Sequence, residues 1–216
     1  MAAKPKPTKL PITIVRFEDA ASWAAWLDQH HATSTDVWIR IAKKGTGIAS
    51  VHYPEVLDVA LCYGWIDAIR KPYDGETFLQ RFTRRGARSI WSKINRDKAL
   101  ALIRTGAMKP AGLAEVERAK GDGRWQAAYD GQKTAKIPND LATALAANPR
   151  AAGFFSTLDA RNRYAILFRL HHAKEAKTRA RRLATFVAML NKHEKIHDTH
   201  VARRKRSTSS PRSGRK

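Results

Sequence analysis

The chain has 216 residues, 43% of them hydrophobic, and a formal net charge of +22 from 41 Lys+Arg against 19 Asp+Glu. That is enough apolar material for one sizeable core or two small ones, which excludes a chain disordered throughout. A positive excess of this size favours anionic partners through long-range attraction, whether nucleic acid, acidic protein or anionic lipid, and does not choose among them.

Residues 1–11 hold three lysines, three prolines and no acid, and residues 199–216 hold seven Lys/Arg and no acid, so the two ends account for nearly half the excess. Residues 1–11 read as a disordered basic arm. They have no apolar stretch of the kind that follows the charges of a secretory signal, and no segment of the chain is apolar for long enough to span a bilayer. With a single cysteine, Cys62, set in the apolar run 59–63, there is no internal disulfide and no sign of an oxidising compartment. The expected location is the cytoplasm, with Cys62 as a small buried hydrophobe.

Folding is expected to begin with a short strand over 12–17. Asp19 then caps a helix that turns Trp23, Trp26 and Leu27 to the core. Residues 36–43 alternate apolar and polar side chains, with Val37, Ile39 and Ile41 on one face, the period of a half-buried strand. The loop 43–47 contains lysines and glycines but lacks the ordering of a phosphate-binding P-loop. Pro54 opens a helix that Gly64 ends. Strands over 66–70 and 77–83 follow, joined by a turn at Tyr73, Asp74 and Gly75 that predicts antiparallel pairing.

From Ser92 the pattern is helical: 93–104, 111–121, 137–147, 151–156, 159–170 and 174–192, with Gly and Pro as punctuation. The fold class is therefore α+β, a small antiparallel sheet packed by helices in the N-terminal half and a helical C-terminal half. The domain reading is an α+β domain over 12–130, a helical region over 131–197 and a disordered polybasic tail over 198–216.

Four phrases in order, ALCYGWIDAIRK (60–71), FLQRFTRRGARSIWSKIN (78–95), LIRTGAMKPAGLAEVERAKGDGRW (102–125) and AKEAKTRARRLATFVAMLNK (173–192), resemble the YdeI/OmpD-associated family, also labelled bacteriocin-protection proteins. The resemblance implies a bacterial stress-associated protein linked to protection from bacteriocins or cationic antimicrobial peptides, and no defined reaction. The chain departs from the family pattern at Arg84, where proline is common, and at Lys177, where an acid is common.

The candidate pocket joins Trp65 and Asp67, two apart and so on one strand face, to Arg85, Ser89, Trp91, Ser92 and Asn95 beyond the next strand. Arg85 offers a planar fork for a carboxylate or phosphate, Ser92 and Asn95 offer hydrogen bonds, and the indoles offer stacking walls. The competing reading makes Ser92 a helix cap, pairs Asp67 with an arginine and sends the tryptophans to the core. The eight histidines show no metal-ligand spacing beyond His193 and His197 at i, i+4, next to the tail. No metal or cofactor is expected, and no nucleophile with a base is present.

The reading that results is a binding protein for a small anion or peptide rather than an enzyme. Two alternatives stay open. One is a non-specific nucleic-acid-binding protein using Lys174, Arg179, Arg181 and Arg182 of the last helix with Arg203, Arg204, Lys205 and Arg206 of the tail. The other is an enzyme using Asp67 and Arg85. A polybasic tail could also touch an acidic lipid surface, weakly. The sequence leaves the oligomeric state open.

Overall fold

The structure, a computed structural model, describes residues 13–197. The expected basic arm and the polybasic tail with Arg203, Arg204, Lys205 and Arg206 lie outside the described residues. The described chain forms two compact units that meet between Ala128 and Tyr129.

The first unit is α+β. Its elements are β1 (Ile14–Val15), α1 (Ala20–His30), β2 (Asp36–Ala42), α2 (Tyr53–Cys62), β3 (Trp65–Pro72), β4 (Thr77–Arg84), α3 (Lys93–Arg104) and α4 (Pro110–Gly121). The sheet order is β1-β2-β4-β3. The expected antiparallel sheet is formed by β2, β4 and β3, and the two-residue β1 joins its edge in parallel with β2.

Strand alternation sets the buried face. Val37, Ile39 and Ile41 are almost fully buried and pair across β4 with Phe82, Gln80 and Phe78. Trp38, on the opposite face, is also buried, with the Lys71 ammonium 4.8 Å from its ring. α1 starts as expected: the Asp19 carboxylate accepts from the Ser22 N–H at 2.7 Å, and the Ser22 side chain returns the contact. Trp23 is fully buried, its indole N–H donating to the Val56 carbonyl at 3.1 Å, whereas Trp26 is only partly buried and stacks on Trp23 at 5.4 Å. Each such indole contributes about 2 to 3 kcal/mol through burial.

In β3 the register slips between Asp67 and Arg70. One extra residue in a strand reverses the facing of those after it, so Ile69 is left exposed and Arg70 swings over the Phe78 ring at 3.8 Å. The buried Gln80 amide donates to the Ile69 carbonyl at 3.3 Å, which accounts for a polar side chain at that depth.

α2 ends at Gly64, whose φ of +72° is the left-handed conformation that glycine adopts without strain. α4 packs against this turn at very short range. A Cβ on Gly112 would meet the Cys62 carbonyl oxygen at 2.3 Å, and one on Gly64 would meet the Ala111 carbonyl oxygen at 2.9 Å and Glu115 Cγ at 2.8 Å. The Lys109 N–H donates to the Cys62 carbonyl at 3.1 Å and fastens the start of α4 there. Cys62 itself is buried, and that burial pushes its thiol up, away from the reactive thiolate.

The second unit is helical: α5 (Asn139–Ala146), α6 (Pro149–Thr157), α7 (Ala160–His171) and α8 (Ala176–Asn191). Its own core is built from Leu141, Leu145, Phe155, Ile166, Leu170, Phe186 and Leu190. Asp159 caps α7 by accepting from the Asn162 N–H at 2.7 Å. α8 stops at Asn191, and His193 has a positive φ of 58° and stacks on Phe154, so His193 and His197 do not share a helical face. Among the described residues no group of three or more His, Cys, Asp or Glu is placed to hold a metal ion, and no helix is long and apolar enough to cross a membrane.

Gly112→Ala tests the close contact of α4 with the α2–β3 turn. The added methyl meets the Met108 sulfur, which can shift, but also the Cys62 backbone carbonyl, which cannot, so we expect a stability loss of about 1 to 3 kcal/mol, read as a lower urea midpoint at unchanged slope. An unchanged midpoint would show that α4 does not sit this close.

Candidate functional site

The seven residues expected to share a hollow fall into two groups. Trp65 is fully buried edge-on to Trp23 and Trp26, and its indole N–H donates to the His31 carbonyl at 3.2 Å. Asp67 lies on the same face of β3, but its carboxylate accepts from the Tyr53 hydroxyl at 2.8 Å. Burial, and then the Asp67 charge, push the Tyr53 phenol well above its ordinary range. This carboxylate faces the start of α2.

Arg85, Ser89, Trp91, Ser92 and Asn95 lie together where the chain leaves β4 and enters α3. The buried Arg85 guanidinium lies 3.6 Å from the centre of the Trp91 ring, and its Nη1 donates to the Ile90 carbonyl at 3.3 Å. Trp91 in turn meets the Trp125 ring at 4.9 Å, edge to face. The Ser89 hydroxyl accepts from the Gly86 N–H at 3.1 Å, and its carbonyl accepts from Arg124 Nη1 at 2.6 Å. Arg124 is itself anchored by the Asp122 carboxylate. Ser92 caps α3, its hydroxyl accepting from the Asn95 N–H at 3.1 Å, and Asn95 is half-buried on the first turn. These contacts bear out the capping reading of Ser92 and make Trp91 the aromatic support of Arg85.

A cavity of about 480 Å³ opens beside this cluster, lined by Thr35, Arg84, Arg85, Gly86, Ala87, Glu115 and Arg118. Of the seven expected residues, Arg85 lines it. β4 delivers Arg84 and Arg85 at its end: the Arg84 N–H donates to the Thr35 carbonyl and the Arg85 N–H to the Gly64 carbonyl, at 3.1 and 3.0 Å. Arg84 Nη1 is held by the Ala32 carbonyl at 2.8 Å. α4 supplies Glu115 and Arg118, paired one turn apart, and Arg118 Nη2 also reaches the Arg85 carbonyl at 3.5 Å. Three arginines and one glutamate among the lining residues give this cavity a positive balance. Such a geometry suits an oxyanion able to take several N–H donors at once.

Sequence reasoning missed Thr35, Glu115 and Arg118. An acid and an arginine at i, i+3 on a helix are ordinarily a surface pair, so the spacing alone gave no reason to place them at a site. The departure at Arg84 was the better pointer.

Two family models match the chain. Residues 134–193 match the family described as bacteriocin-protection, YdeI or OmpD-associated. The match to the YdeI/OmpD-associated family is confined to this segment. Residues 15–115 match a different model, a domain of unknown function designated DUF8412, so the resemblance noted over residues 60–71 and 78–95 falls within that second match. No curated protein and no solved structure matches the chain.

In the segment that matches the YdeI/OmpD-associated family, the basic residues of α8 divide by what they touch. Arg179 forms a two-point pair with Asp140, at 2.6 and 2.9 Å, and gives Nη1 to the Leu170 carbonyl at 2.7 Å. Arg182 gives Nη1 to the Arg169 carbonyl at 2.5 Å. Both therefore satisfy carbonyls at the C-terminal end of α7, where a cation also complements the helix dipole. Lys177 and Arg181 remain on the exposed side, and Lys174, also exposed, precedes the helix.

The Arg179 side-chain hydrogen bonds hold the Asp140 carboxyl below its ordinary value of 3.8. A depressed folded-state value means that the pair stabilises fully above that ordinary value and loses its contribution as pH falls through the depressed one. Asp140→Asn should therefore lower stability at neutral pH by about 1 kcal/mol, discounted for partial exposure. The gap from the parent protein should narrow as pH falls below that ordinary value and through the depressed one, as urea midpoints measured at neutral and at acid pH would show. A gap that persists in acid would assign the loss to packing instead.

Proposed function

We propose that this protein binds a small anion bearing a carboxylate or phosphate in the cavity between the end of β4 and α4. It would serve a protective role of the kind named in the description of the YdeI/OmpD-associated family. The observation that carries the reading is the convergence of Arg84, Arg85 and Arg118 on one cavity. Arg85, resting on Trp91, acts as a fixed charge at the base. Arg84 and Arg118 are the adjustable forks at the rim. A cationic antimicrobial peptide is repelled by such a surface unless it presents a carboxylate, so a small anion is the better fit. The reading is one of binding rather than turnover: the Asp67 carboxylate is not among the cavity's lining residues and is taken up by Tyr53.

Isothermal titration of the full chain with inorganic phosphate and with citrate tests this. Arg118→Gln and Arg84→Gln should each weaken binding by about tenfold, the loss of one charge-assisted pair. Glu115→Gln should instead tighten it, because it removes the cavity's one negative charge and frees Arg118. Addition of salt should weaken binding throughout, since these rim charges are exposed to solvent. Equal affinities across the parent and all three variants, or no heat with either anion, would overturn the assignment. A survival assay under antimicrobial-peptide challenge then asks whether the arginine variants lose protection in the same order as they lose affinity.

A further inference from the structure

A second groove lies within the helical unit and is independent of the arginine cavity's assignment. It has a volume of about 440 Å³ and is lined by Gln132, Arg161, Tyr164, Ala165, Phe168, Arg169 and His197. Its floor is aromatic. Tyr164 and Phe168, one turn apart on α7, are half-buried with ring centres 5.8 Å apart, and Ala165 between them leaves room above the rings. Both rings are held from behind. The Tyr164 hydroxyl donates to the Asp130 carbonyl at 2.9 Å, and Phe168 packs against Tyr129 and His172 at 5.0 and 4.2 Å. Burial, then the Tyr129 and Asp130 neighbours, push the Tyr164 phenol up to about 12, so it stays a neutral ring at any physiological pH.

The ends of the groove are cationic. Arg161 and Arg169 sit eight residues apart on α7, roughly 12 Å along the helix axis. No carboxylate is among the lining residues; the acids nearest in sequence are Asp159 at the start of α7, which faces Lys195 and Arg161, and Asp130, which faces Tyr164. Two positive charges that far apart are more than one phosphate can span, so the matching ligand carries negative charge at repeated points with flat apolar surface between them. His197 lies on the rim, fixed there by two hydrogen bonds with Asn162 at 2.8 and 3.0 Å, and residues 199–216, which follow it, carry seven Lys/Arg and no acid. The sequence thus continues from the groove's edge into its most basic stretch.

We propose that this groove binds single-stranded nucleic acid without sequence preference, with bases stacked on Tyr164 and Phe168 and phosphates at Arg161 and Arg169. Stacking on an aromatic face tolerates any base, and backbone cations contribute a salt-dependent attraction, the combination that single-strand binders use. A duplex keeps its bases stacked on one another and gains nothing from the aromatic floor.

Fluorescence anisotropy of a labelled decathymidylate with the full chain tests the proposal, against a duplex of equal charge and against inorganic polyphosphate as competitor. The single strand should bind more tightly than the duplex. Tyr164→Leu should weaken it about tenfold while leaving polyphosphate unaffected, and Tyr164→Phe, which keeps the ring, should retain most of the affinity. Arg161→Gln, at an exposed position with no packing role, should weaken both polyanions and lower the slope of log affinity against log salt by about 0.7 between about 50 and 200 mM. The proposal is overturned if duplex and single strand bind alike, or if a folded Tyr164→Leu protein binds the single strand as the parent does. It is likewise overturned if Arg161→Gln leaves the salt slope unchanged.

Discussion

The candidate anion cavity depends on one close approach, the seating of α4 on the turn between α2 and β3. Two glycines make it possible for different reasons. Gly112 removes a side chain that would strike the Cys62 carbonyl, while Gly64 both ends α2 at a positive φ and leaves the space that Glu115 occupies. The same turn also accepts the Arg85 N–H at the Gly64 carbonyl, so a single residue fixes the end of β4 on one side and α4 on the other. Arg84 and Arg85 from the sheet and Glu115 and Arg118 from the helix are thereby brought to one opening. A larger residue at position 64 would act on the site through geometry, since the atoms that it displaces first belong to Ala111 and Glu115.

Positive charge in this chain does several distinct jobs, and net charge alone does not separate them. Arg179 and Arg182 serve as caps for α7, Arg124 ties the loop before α3 to Asp122 and the Ser89 carbonyl, and Arg70 covers two aromatic rings. Those guanidiniums are committed to the fold. Other basic side chains stay exposed, among them Arg84 and Arg118 at the α4 cavity, Arg161 on α7, and Lys177 and Arg181 on α8. An arginine fork suits both roles, because the planar geometry that grips a phosphate also grips a helix's last carbonyls.

The elements of the fold were readable from periodicity and punctuation, because each rests on local rules that the tertiary structure obeys. Asp19, Ser92 and Asp159 all cap helices with their own side chains, and Val37, Ile39 and Ile41 turn inward as their alternation requires. The parallel pairing of β1 and the slip inside β3 were not readable, since neither leaves a mark within the strand that it changes. The site was half readable. Arg85 and its support by Trp91 follow from two residues six apart, but Thr35 and Arg118 arrive from elements far away in sequence. Conversely Trp65 and Asp67, correctly placed on one face, are taken by α1 and α2, because an indole finds more apolar contact there than beside three guanidiniums.

The two matched segments carry different chemistry, and this constrains how the family description can be used. The protective role belongs to the description of the family that matches residues 134–193, the segment that holds Tyr164, Phe168 and the arginines of α7. The arginine cavity lies almost wholly in residues 15–115, matched by a domain of unknown function, with Arg118 just beyond. A family label therefore bears on the aromatic groove more directly than on the anion cavity, and the cavity must stand on its own geometry. In that geometry the buried Arg85 guanidinium rests on the Trp91 ring and gives Nη1 to the Ile90 carbonyl, whereas Arg84 and Arg118 are exposed. An anion held as proposed would bridge the end of β4 and α4, and because it binds the folded form alone it would stabilise the seating of α4 that forms the cavity's far wall.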